Sequence, residues 1–155
     1  MRIRYVRRVL LILCFLVVSF IGMLFFPTRA IVVLQNDAII YAFPESEGTF
    51  ALKWVHSVEK EKWIEKFRVN NCQIFLQSTK FKTFGAGVPA ITEQVIKQKN
   101  GWLVVDLHRE IGSELVVRAT EINHYKFIFK GKYYPMAASD APYVIKTERV
   151  PFFAL

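Results

Sequence analysis

The side chains able to carry chemistry fall in a few places along the 155 residues: His56-Ser57, Glu65, the glycines Gly85 and Gly87 of Gly85-Ala86-Gly87, and Arg118 with His124. A histidine beside a serine suggests a base and a nucleophile, and a histidine near a carboxylate suggests general acid–base work. Arginine clamps carboxylate or phosphate groups through its planar fork of donors. Parity along an extended chain tests these possibilities, because alternate side chains point to opposite faces. Over Thr49–Val58, Phe50, Leu52, Trp54, His56 and Val58 share one face, and Ala51, Lys53, Val55 and Ser57 share the other. His56 and Ser57 therefore point apart, which argues against a nucleophile pair. Over Trp63–Val69, Glu65 lies with Trp63, Phe67 and Val69. An imidazole and a carboxylate on apolar faces both need partners. With the two strands antiparallel around Glu59–Lys62, the expectation is a His56–Glu65 pair, either as a satisfied buried contact or as part of a ligand site.

Other chemistries find little support. His56, His108 and His124 are scattered and Cys72 is solitary, so no zinc spacing is present and no metal is expected. There is no Gly-x-Ser-x-Gly elbow. The Gly85–Pro89 loop lacks the Lys-Ser/Thr of a phosphate loop and the third glycine of a dinucleotide fingerprint, and no cofactor is expected. It reads as a tight turn or as backbone that lets a ligand lie close. Arg118 is either a solvated surface residue or an anion clamp, and Asn123-His124 reads as a turn.

These residues must be positioned by strands. Turn signals recur at short intervals after residue 30, with β-rich segments between them. Expected strands are Ala30–Leu34, Ala38–Phe43, Thr49–Val58, Trp63–Val69, Gln73–Phe81, Glu93–Gln98, Trp102–His108, Glu114–Glu121, Lys126–Phe129 and Tyr143–Val150. Turns are expected at Gln35-Asn36-Asp37, Asn70-Asn71, Asn100-Gly101 and Gly131. A short helical turn is allowed near Ala137–Ala141. The fold class is mainly β: one N-terminal transmembrane helix, then a small antiparallel β-sandwich or partly open barrel. With Cys14 in the apolar run, Cys72 has no partner for a disulfide within the domain and reads as a half-buried small hydrophobe. The apolar end, Pro151 to Leu155, is read as tucked into the core, with a contact surface for a partner as the alternative.

The N-terminus sets the location. Val9 to Phe26 carries no charge and no proline, and eighteen helical residues rise about 27 Å, close to a bilayer's hydrocarbon thickness. Arg2, Arg4, Arg7 and Arg8 precede it without an acidic residue, which places residues 1–8 in the cytoplasm and residues 27–155 on the far side. The span at 9–26 reads as an uncleaved anchor; a cleaved signal peptide is the competing reading, with a poor site at Thr28–Ala30. The net charge of +8 is largely this topology signal: past Arg29, sixteen basic residues face the 13 acidic ones. No nucleic-acid partner is expected.

The stretch from Phe50 through His56-Ser57-Val58-Glu59 to Trp63 and Glu65 resembles the core of the domain-of-unknown-function family numbered 1850. So does Phe81-Lys82-Thr83-Phe84-Gly85-Ala86-Gly87-Val88-Pro89, and so do Arg118 and the later His124. The resemblance covers roughly residues 48–130. It implies a small prokaryotic protein with an N-terminal hydrophobic segment, and with the charge reading above this gives the expectation of a bacterial or archaeal cell membrane location, single-pass, with the C-terminal domain extracytoplasmic. Genes of the family commonly lie beside those of TAXI-type tripartite (TRAP) transporters, so the resemblance implies a non-enzymatic accessory subunit of such a solute transporter. The transporter's membrane subunit would be the partner, with the solute receptor as a second candidate and the lipid bilayer around the span. The resemblance brings no catalytic residue with it. His56, Ser57, Glu65, Gly85, Gly87, Arg118 and His124 are the ligand- or partner-binding candidates. The alternative is an anchored binder of a small organic anion, with His56, Glu65, Arg118 and His124 around one pocket. An enzyme would need the His56–Glu65 pair.

Overall fold

The computed structural model describes residues 2–83 and 96–155. Helix α1 (Arg2–Leu24) takes in the apolar run as far as Leu24, two residues short of Phe26, and begins earlier than the run, taking in the arginine-rich turns. It stops at Leu24 because Pro27 disfavours helical dihedrals at the residue before it. The last turn tightens as it ends: Phe25 N–H still reaches Ile21 O, and Phe26 N–H reaches Met23 O. Residues 4–24 are long and apolar enough to cross a membrane, and the domain buries none of this surface.

Eleven strands follow among the described residues: β1 (Pro27–Gln35), β2 (Ala38–Pro44), β3 (Thr49–Val55), β4 (Lys62–Asn70), β5 (Gln73–Phe81), β6 (Ile96–Lys99), β7 (Trp102–Gly112), β8 (Glu114–Val117), β9 (Lys126–Phe129), β10 (Lys132–Pro135) and β11 (Tyr143–Pro151). They form two antiparallel sheets. The smaller runs β2-β1-β11-β8 and the larger β10-β9-β3-β4-β5-β7-β6. Neither closes into a barrel. Gly112, at φ +122°, lies where the chain leaves the large sheet for the small one, a backbone that side-chain-bearing residues rarely adopt.

The hairpin register comes from four two-residue turns of one kind. Asn36-Asp37, Asn71-Cys72, Asn100-Gly101 and Lys130-Gly131 each place two successive residues at positive φ. This geometry matches the twist of antiparallel strands and favours Asn, Asp and Gly. Cys72 at φ +61° is the unusual member. Its Sγ accepts a long contact from Arg29 Nη1 at 3.4 Å.

The sheets pack face to face around a phenyl stack. Phe43 of the small sheet lies on Phe127 and Phe129, with centroids 5.1 and 4.6 Å apart. The stack continues through Phe50 to Phe67 in the large sheet, at 5.1 and 5.0 Å. Ile31, Val33, Tyr143 and Ile145 close over it from the small sheet. At one edge the Tyr41 hydroxyl donates to Pro135 O at 2.8 Å, tying β2 to β10.

Several expectations need correction. β3 ends at Val55, so His56 opens a loop instead of continuing a strand. β8 ends at Val117 rather than Glu121. β10 is additional to the expected strands; Lys132–Pro135 is short and ends in proline, so its sequence carries little strand signal. Ala137–Ala141 is not helical. The apolar tail is not in the core: Phe152, Phe153 and Leu155 are exposed, with Phe152–Ala154 forming a 3-10 turn. Of Glu93–Gln98, only Ile96–Gln98 falls in the described residues, within β6. Phe67 is fully buried in the stack, so Phe67→Ala is expected to cost about 3–5 kcal/mol. Denaturant unfolding of the full chain in detergent checks this.

Candidate functional site

One end of the sandwich gathers most of the chemistry. A row of stacked rings crosses the inner face of the large sheet: Tyr125 on Trp54 at 5.3 Å, Trp54 on Trp63 at 6.0 Å, and Trp63 on Phe81 at 4.9 Å. Register produces the row, since Trp54 pairs directly with Trp63 across β3 and β4. The Trp63 indole N–H is buried and needs an acceptor. It donates to Thr79 Oγ1 at 2.6 Å, and Thr79 is itself almost fully buried.

Glu65 occupies the next layer of the same face, paired with Leu52 on one side and Thr79 on the other. Burial pushes its carboxyl up to about 7 from the ordinary 4.5, and the Arg109 guanidinium opposes this only in part. The Tyr125 phenol is also raised, first by burial and then by the Glu65 charge. A charged carboxylate is poorly accommodated here, and burial favours the protonated form.

The expected His56–Glu65 pair is not formed. The β3–β4 register places His56 opposite Glu61, four residues from Glu65 and therefore roughly 13 Å along the strand. His56 instead organises the loop that joins the strands. Its N–H donates to Glu61 O at 2.8 Å, its carbonyl accepts from Lys60 N–H at 2.9 Å, and its Nδ1 accepts from Glu59 N–H at 3.3 Å. The neutral ring therefore carries its proton on Nε2, and it lies on the Trp63 ring at 5.4 Å. Ser57 is exposed in the same loop.

Arg118 and His124 lie elsewhere. Val117 and Ala119 are buried, so alternation turns Arg118 outward to solvent. His124 is exposed at φ +48° and borders an open groove of about 510 Å³ with Thr120, Tyr125, Lys126 and Met136. His56, Glu65 and Arg118 do not line this groove, so the four residues expected to share one pocket do not. Gly85 and Gly87, with the Gly85–Pro89 loop, lie outside the described residues. Among the described residues, no three His, Cys, Asp or Glu side chains converge as metal ligands would.

Asn123, Thr79, Tyr125 and Arg109 were missed from the sequence. Asn123 clamps the end of β3: Val55 N–H donates to its carbonyl at 2.7 Å, and its Nδ2 donates to Val55 O at 2.9 Å. The Thr120 hydroxyl in turn donates to Asn123 Oδ1. Thr79 was hidden because the register with β7 shifts between Leu76 and Ser78, which breaks simple alternation. Arg109 sits at the far end of a strand expected to stop at His108.

Glu65 carries a pH dependence with a definite sign. The folded chain holds its proton more tightly than the unfolded chain does. The stability this gives is complete below about pH 4.5 and is lost as pH rises through about 7, some 3 kcal/mol in all at order of magnitude. Glu65→Gln is expected to remove the slope and to be at least as stable as the parent at alkaline pH. Melting of the full chain in detergent at about pH 5 and about pH 8 measures it.

No curated protein and no solved structure matches the chain. Residues 50–136, from Phe50 in β3 to Met136 just beyond β10, match the family described as Domain of unknown function (DUF1850). The match takes in the aromatic row, Glu65, the His56 loop and the Asn123 clamp. It covers more than half of the 155 residues, and the chain belongs to the DUF1850 family.

Proposed function

We propose that the chain is a membrane-anchored, non-catalytic accessory subunit of a TAXI-type TRAP solute transporter. In this reading α1 crosses the membrane from a cytoplasmic N-terminus. The β-sandwich then stands on the extracytoplasmic face, against the transporter's membrane subunit and within reach of its solute receptor. The observation that carries the proposal is the join between span and domain. Only Phe25 and Phe26 separate Leu24 from Pro27, and Phe26 O accepts the Phe152 N–H at 3.2 Å. The domain is thereby held at the end of the helix, while the apolar helix surface is left uncovered for lateral packing. A free-standing binder on a tether has no need of such a fixed mounting, whereas a subunit seated on a membrane partner does. Anchoring in the same bilayer also raises the effective concentration of the two proteins. The gene neighbourhood that the resemblance implies is what suggests a transporter as the partner.

An anchored binder of small organic anions is the second reading. The groove beside His124 and Lys126 favours it, now without Arg118. Calorimetry of the full chain with a panel of carboxylates separates the two. Saturable heats lost in His124→Ala would support the binder, and their absence removes it.

The accessory role is tested by restoring uptake in cells that lack the gene. The full chain is expected to restore transport, and residues 1–30 alone are expected to restore none. Full transport with the helix alone would contradict a role for the sandwich.

A further inference from the structure

The two ends of the domain meet at the point where α1 stops. β1 and β11 pair along their whole length, from Gln35↔Tyr143 to Pro27↔Pro151, so the chain enters and leaves the small sheet at one place. There Phe152 N–H donates to Phe26 O at 3.2 Å, and the Phe153 ring meets Phe25 edge-on at 5.2 Å. Five large apolar side chains crowd this spot and face outward. Phe25 is 63% exposed, Phe26 67%, Phe152 50%, Phe153 59% and Leu155 39%. Such a patch is costly in water and marks a contact surface.

We propose that this aromatic collar is a second membrane attachment, in which Phe152, Phe153 and Leu155 enter the interfacial layer of the leaflet from which α1 emerges. The inference rests on the reading that α1 crosses the bilayer, but not on any transporter. Depth is the first argument. If the hydrocarbon ends near Leu24, a ring packed on Phe25 lies at the same level and cannot stand clear of the lipid. Continuity is the second, because the collar prolongs the uncovered apolar surface of the span. Charge is the third. Arg29 and Arg149 pair directly across β1 and β11, two residues beyond Pro27 and Pro151, which is about 7 Å further from the collar. Like charges directly opposite are unfavourable unless an anion screens them. Glu45 Oε1 lies 4.0 Å from Arg29 Nη1, and Arg149 forms no ion pair among the described residues. Lipid phosphates at headgroup height complement both arginines. The collar thus fixes the tilt of the sandwich on the membrane, where a single helix alone would let it rotate.

The test uses the full chain in nanodiscs of phosphatidylcholine and phosphatidylglycerol, with and without brominated phosphatidylcholine as a contact quencher. Phe153→Trp and, separately, Leu155→Trp add one fluorophore each, read as a difference from the parent chain. Phe20→Trp within α1 reports whether the span is inserted. Expected is loss of most of the added emission at positions 153 and 155, together with quenching at position 20. Quenching at position 20 with unquenched emission at both 153 and 155 overturns the collar while leaving the anchor intact. Unquenched emission at all three positions overturns the transmembrane reading and the collar with it. A second arm replaces phosphatidylglycerol by phosphatidylcholine throughout and follows Arg149→Gln. Reduced quenching at 153 in either case supports the role of the cations.

Discussion

Strand β1 leaves the end of α1 after only Phe25 and Phe26 and at once becomes an inner strand of the small sheet. β11 bonds it on one side and β2 on the other. Ala30, Ile31, Val32, Val33 and Leu34 are buried without a break. Ile31 and Val33 face the sandwich interior, while Ala30, Val32 and Leu34 join Val150 in a second cluster on the opposite face. The strand that links α1 to the domain is therefore paired on both sides and buried on both faces. It also takes the last strand, β11, as its partner, so the sandwich closes only when the chain's far end returns to the exit of the helix. The strand that follows α1 is thus held by the core itself.

The large sheet shows a different tension. Its inner face is an aromatic surface that stacks well and excludes water, yet Glu65 stands in it with no hydrogen bond among the described residues. Burial of a carboxylate without a dedicated partner works against stability at neutral pH. The neighbouring polar groups are arranged for other purposes. Thr79 serves the Trp63 indole, and His56 serves the loop between β3 and β4. The His-Ser-Val-Glu stretch thus has a clear architectural task in shaping that loop beneath the Trp63 ring. Glu65 is the residue at this end whose presence the packing alone does not require.

Much of the fold was legible because alternation and turn chemistry act locally. Asn36-Asp37, Asn100-Gly101 and Lys130-Gly131 mark hairpins by residue type. Gln73–Phe81 and Lys126–Phe129 are read to the residue because turn signals set their limits. What failed depends on contacts distant in sequence. His56 sits at core parity, but Asn123 pins the end of β3 at Val55 and releases His56 into a loop. The His56–Glu65 pairing fails with it, because register is set by the number of residues in that loop. The fate of the apolar tail was illegible for the same reason. Its destination is defined by β11 pairing with β1 across more than a hundred residues, which brings Phe153 to Phe25 rather than into the interior.

The sandwich joins a single uncovered apolar helix through Phe25 and Phe26, and the contacts of Phe152 and Phe153 with that join are what the proposed accessory role builds on. The most direct test is a mild-detergent pull-down of the full chain from its native membranes, with mass spectrometry of what accompanies it. Near-stoichiometric recovery of a transporter membrane subunit is the expected result. Recovery of the chain alone, under detergent and crosslinking conditions that preserve known membrane complexes, would contradict the accessory role.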